Sequence, residues 1–166
     1  MKKNSKLTKI TRTALMAAII FVVTYVVRIP IPFASGGYLN IGDTPLYIAA
    51  YLLGGPAGAV AGALGASMSD MVAGYALYAL PTAVIKGAMG FVCGSLMREG
   101  GMKRFTLASV LGGAMMVGGY ALFESMFFNV NQAIASVPFN CVQWAGGVIA
   151  AAALFPAVRA VEKSLG

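Results

Sequence analysis

Apolar stretches succeed one another along most of this chain, parted only by isolated charges, glycines and prolines. Hydrophobic residues make up 59% and charged residues only 10%, whereas a soluble domain carries about a quarter charged residues. A surface so poor in charge faces something other than water. Gly is abundant, at 21 residues, and small residues are what membrane helices use to approach one another closely. The 166 residues therefore read as an all-α, polytopic membrane protein, a single membrane domain over 1–166.

The interruptions divide the chain into six segments, at about 11–28, 44–54, 57–73, 81–97, 106–128 and 138–160. The first ends at Arg28 and the breaker run Ile29-Pro30-Ile31-Pro32, the second at Gly54-Gly55-Pro56. A full crossing takes about 20 residues, so the second segment is short, or it pairs with the third as a tilted hairpin. A basic start followed by the apolar run Ala14–Val27, with Pro30, Pro32, Ala34 and Ser35 behind it, also resembles a signal peptide. Because the rest of the chain is equally hydrophobic, an uncleaved first helix is the preferred reading.

The charge distribution orients the bundle. Of the twelve basic residues, five (Lys2, Lys3, Lys6, Lys9, Arg12) lie in the N-terminal tail. Arg98, Lys103 and Arg104 lie between segments four and five, and Arg159 and Lys163 at the C-terminal end. With six crossings those three regions share one side, which the positive-inside rule makes cytoplasmic. Both termini and 98–104 are then cytoplasmic at the plasma membrane, while 35–37 and 133–136 face outward. The net charge of +7 is a topology signal and not a nucleic-acid footprint.

On that topology the polar side chains of the membrane segments gather in the outer half. Asp43 opens the second segment, Asp70 nears the end of the third, Lys86 lies early in the fourth, and Glu124 late in the fifth. Ionisable residues at such depth face a bundle interior, and this one-sided cluster describes a cavity open to the outside. Asn140, Gln143, Trp144 and Gly147 share one helical face, as do Tyr120, Glu124, Phe127 and Phe128. Flat aromatic walls with a few directed hydrogen-bonding groups suit a small polar heteroaromatic ligand. The candidate binding residues are Lys86, Tyr120, Glu124, Phe128, Asn131, Asn140, Gln143 and Trp144. Asp43 and Asp70 are site residues or structural charges. Lys86 either snorkels outward or pairs with Asp70 or Glu124 to satisfy buried charge.

Small residues recur every four positions at Gly58, Gly62 and Ala66, with Asp70 next in the series, which predicts a helix-packing seam. Ala14 and Ala18 form a shorter pair of the same kind. Cys93 and Cys141 lie in apolar segments and read as packing residues. His is absent, and the chain shows no GxxxxGK[ST] loop, HExxH or GxSxG, so no catalytic residues, metal or cofactor are expected. The rival class is a small membrane enzyme acting on a lipid or isoprenoid.

Several short stretches in order carry a family resemblance: Asn40-Ile41-Gly42-Asp43, Gly54-Gly55-Pro56, Ser69-Asp70 with Gly74-Tyr75, and Pro81-Thr82 with Ile85-Lys86-Gly87. Together they resemble an S component of energy-coupling factor (ECF) transporters, in the branch related to hydroxymethylpyrimidine, pyridoxine and riboflavin uptake. The resemblance is clearest over about 11–95. It implies a six-helix bundle that captures a vitamin or precursor from outside. It also implies a membrane coupling subunit and two cytoplasmic ATPases as partners. The family's Ala-x-x-x-Ala docking motif on helix 1 matches Ala14 and Ala18, and the implied transport step is toppling of the loaded subunit in the membrane.

Overall fold

The structure is a computed structural model and describes residues 5–30, 38–97 and 100–165. Six helices follow in chain order: α1 (Ser5–Val26), α2 (Asp43–Leu53), α3 (Gly55–Val72), α4 (Ala76–Met97), α5 (Met102–Phe127) and α6 (Val130–Leu165). Between α1 and α2 lie two short strands, β1 (Arg28–Pro30) and β2 (Tyr38–Asn40). They pair antiparallel, with Arg28 opposite Asn40 and Pro30 opposite Tyr38. This short hairpin is an addition to an otherwise helical bundle.

Four helices, α1, α4, α5 and α6, are long and apolar enough to cross a membrane. Their outward faces carry large hydrophobic side chains such as Val22, Leu80, Val84, Leu122 and Ile149, the surface a bilayer requires. The 11 residues of α2 span only about 16 Å, roughly half a hydrocarbon core. The 18 residues of α3 are long enough; Gly, Ala and Ser pack its inner face, while Val60, Leu64, Met68 and Met71 are exposed on the other.

Close approach governs the core around α3. A Cβ placed on Gly90 of α4 would meet the Gly58 backbone of α3 at under 3 Å, and one on Gly65 would meet the Ala17 carbonyl and Ile20 of α1 as closely. The seam thus meets α4 backbone to backbone at Gly58, and Gly65 beside it lets α1 come equally close. The turns into α3 and α4 are tight, and each passes through a glycine at positive φ, Gly54 (78°) and Gly74 (87°), a region that other residues enter only with strain.

Helix ends differ from expectation at the prolines. The fourth and sixth segments were expected to start near positions 81 and 138, yet α4 begins at Ala76 and α6 at Val130, with Pro81 and Pro138 inside them. Membrane helices tolerate interior proline because neighbours and local adjustments satisfy the freed carbonyls. As a result 133–136, expected to be an outward connection, form the early turns of α6, where Ala133 and Ser136 are buried. The stretch 35–37 lies outside the described residues, as does Arg98.

The α3–α4 contact generates a stability test. Gly90→Ala forces two backbones apart and should destabilise the purified protein by about 1–3 kcal/mol. Gly118→Ala places its methyl in open space and should leave the melting temperature in detergent unchanged or raise it. Equal melting of both variants would show that the seam is looser than described.

Candidate functional site

Lys86 stands ten residues into α4 and is 4% exposed. Its ammonium donates to Oδ1 of Asp43, the fully buried first residue of α2, and approaches Met116 Sδ of α5 at 3.1 Å. Gln143 of α6 completes the arrangement. Its Nε2 donates to Asp43 Oδ2 at 3.0 Å, and its Oε1 accepts from the Asn40 backbone N–H at 3.0 Å. Both Asp43 oxygens are therefore engaged, and one ion pair ties α2, α4, α6 and β2 together. Paired and hydrogen-bonded charges are the form in which ions persist at such depth.

This pair floors a cleft at the end of the bundle away from Lys9, Lys103 and Arg159. The cleft encloses about 490 Å³ of space between atoms, its open mouth included. Thr24 of α1, Tyr38 and Asn40 of β2, and Ala66 and Asp70 of α3 line one side. Tyr78, Thr82 and Lys86 of α4, Tyr120 and Glu124 of α5, and Asn140 and Gln143 of α6 line the other. Spacings of four along α3, α4 and α5, and of two along β2, bring these residues to one place.

Most of the polar groups in the cleft are already held. The Tyr38 hydroxyl donates to Asp70 Oδ1. Glu124 accepts from the Tyr78 hydroxyl at 3.1 Å and, on its other oxygen, from Ser136. Thr82 and Tyr120 share a hydrogen bond of 2.9 Å. The Lys86 ammonium lies 5.8 Å from the centre of the Tyr120 ring, within the range of a cation–π contact.

The structure brings together Lys86, Tyr120, Glu124, Asn140, Gln143 and Asp70 on the cleft, with Asp43 beneath them. It places the other three candidates elsewhere. Trp144 lies against Gly113, where a Cβ would fall inside the indole, so its ring fills the α5–α6 seam. Phe128 stacks on Tyr78 with centroids 5.9 Å apart, behind the wall, and Asn131 is exposed. Lys86 pairs with Asp43, not with Asp70 or Glu124. Sequence reasoning missed Thr24, Tyr38, Asn40, Tyr78 and Thr82 among the polar lining residues. The last two were open to discovery, because Tyr78, Thr82 and Lys86 stand four apart on one helical face.

Comparison with known proteins decides the family. The model of the family described as ECF-type riboflavin transporter, S component, matches residues 4–160. The chain belongs to this family. The S component is also 30% identical over 157 residues to the thiamine precursor transporter HmpT of Lactococcus lactis subsp. cremoris (strain MG1363), covering 94% of this chain and 90% of the relative. It is 40% identical over 129 residues to an uncharacterized protein in the gap 3' region of Pyrococcus woesei, covering 77% of this chain and 86% of that one. Its fold resembles the crystal structure of the S component for biotin from an ECF-type ABC transporter. That match has a TM-score of 0.76 at 20% identity and covers 98% and 95% of the two chains. The protein is thus a multi-pass membrane transport subunit and not an enzyme.

The floor of the cleft is testable by itself. Lys86→Met leaves Asp43 buried without its counter-ion and should cost about 3–5 kcal/mol. Lys86→Met combined with Asp43→Asn should recover most of that loss, as read by thermal unfolding in detergent. A double variant as unstable as the single one would show that the ion pair is not the link between these helices.

Proposed function

We propose that the S component captures a small, single-ring heteroaromatic vitamin precursor, with hydroxymethylpyrimidine as the leading candidate, from the outer face of the plasma membrane. The supporting observation is the cleft itself, a convergence of directed polar groups and tyrosines at one end of an otherwise apolar bundle. Lys86 is neutralised by Asp43, which leaves Asp70 and Glu124 as the remaining acidic groups of the cleft. That balance favours a neutral or cationic ligand. HmpT, a thiamine precursor transporter alike over 94% of this chain, supports the pyrimidine reading. Lys86, Tyr120, Glu124, Asn140 and Gln143 are the proposed binding residues.

In this reading the six helices of one membrane domain make six crossings, α2 and the β1–β2 hairpin together completing the second. Both termini and the α4–α5 connection are cytoplasmic, so the basic ends face the cytosol and the cleft faces out. A membrane coupling subunit and two ATPases drive delivery of the bound ligand inward. Ala14 and Ala18 are exposed, whereas Ala17, on another face of α1, meets α3 at Gly65. The exposed alanines leave α1 a small-residue face for close approach by the coupling subunit.

Three measurements test this reading. Asn140→Ala should weaken calorimetric binding of hydroxymethylpyrimidine by about one to two orders of magnitude, and unchanged affinity would remove α6 from the site. In intact cells a membrane-impermeant maleimide should label Asn131→Cys but not Gly101→Cys, and the opposite pattern would overturn the orientation. Ala14→Trp with Ala18→Trp should abolish uptake by the assembled transporter while ligand affinity holds. An equal fall in both would make these alanines part of the fold.

A further inference from the structure

Two buried polar atoms on the α1–α3 side of the cleft have no hydrogen-bond partner among the described residues, Asp70 Oδ2 and Thr24 Oγ1. Each of the two residues is only 4% exposed, and both line the cleft. The contrast with the facing wall is plain. Both oxygens of Glu124 are taken by hydroxyl donors, and the Lys86 ammonium is held by Asp43. Thr82 of α4 also stands beside the Asp70 carboxyl, with its hydroxyl engaged by Tyr120. A carboxylate oxygen can only accept, and leaving one buried without a donor is costly. Unsatisfied groups of this kind mark a place where something else supplies the partner.

We infer that Asp70 Oδ2 and Thr24 Oγ1 form the specificity-determining edge of the site, and that the ligand meets Asp70 with an N–H donor. The ligand class is an amino-substituted nitrogen heterocycle, whose exocyclic amino group points at α3. Tyr38 holds the other Asp70 oxygen and so fixes which lone pairs face the ligand. Glu124, whose two oxygens already accept from Tyr78 and Ser136, lines the ligand elsewhere and does not bind the amino group. This inference rests on the pyrimidine reading above.

The test is calorimetry on the full chain in detergent with two probes, hydroxymethylpyrimidine and its analogue with hydrogen in place of the exocyclic amino group. Wild type should bind the amino compound about ten- to a hundredfold more tightly than the analogue. In Asp70→Asn an amide N–H can take the place of Oδ2, donor facing donor, and the preference between the probes should collapse to about twofold or less. Thr24→Val, which keeps the shape of the side chain, should weaken the amino compound several-fold and reads the same edge should Asp70→Asn fail to fold. Loss of the probe preference is a readout that a merely structural Asp70 would not produce. A preserved preference in Asp70→Asn, or in a case of misfolding an unaltered affinity in Thr24→Val, overturns the inference alone. Failure of wild type to bind either probe overturns the pyrimidine reading and this inference with it.

Discussion

The buried Lys86–Asp43 pair is the constraint on which the rest of the molecule depends. A charge at that depth needs a counter-charge and further hydrogen bonds, and here they come from α2 and α6. Asp43 must therefore stand at the level of the middle of α4, which is where α2 begins. That placement goes with the shortness of α2, which runs only from Asp43 to Leu53. Gln143 then fastens the hairpin through the Asn40 backbone. The cleft is the space left above this floor, and its walls inherit their positions from it.

Lipid offers little hydrophobic drive between helices, so packing has to come from close contact. The structure meets this with glycines that let backbones touch, Gly58 against Gly90 and Gly65 against Ala17. Large side chains are sent outward to the bilayer or into the apolar half of the core, around Tyr47, Met89, Phe105 and Phe155. The result is a bundle whose one half is tightly packed and apolar while the other holds hydroxyls, amides and carboxylates around a cleft. That division matches the task of an S component, which must hold a water-soluble ligand inside a membrane.

Much of this was legible in the residues. Composition and charge spacing pointed to a membrane bundle, the four-residue recurrence of Gly58 and Gly62 to a packing seam, and short stretches such as Asn40–Asp43 to the family. The candidate site was legible in part. Period alone places Asn140, Gln143 and Trp144 on one face, but it says nothing about ring direction, and the glycine at position 113 draws the Trp144 indole toward α5. The partner of Lys86 was hidden because Asp43 is 43 residues away and its depth depends on how short α2 is. Prolines 81 and 138 misplaced two helix starts, since a rule suited to water is relaxed in lipid. Tyr38 and Thr24 reach the cleft only through the β1–β2 hairpin and the end of α1, a tertiary arrangement with no local signature.

An S component presenting hydroxyls, a carboxylate and an amide in a small cleft should carry its ligand through a gentle purification. Mass spectrometry of the intact protein released from detergent measures this most directly. The account predicts one bound nitrogen heterocycle of single-ring size per chain, displaced when free hydroxymethylpyrimidine is added in excess. A retained lipid or isoprenoid, or a retained heterocycle that this pyrimidine does not displace, would contradict it.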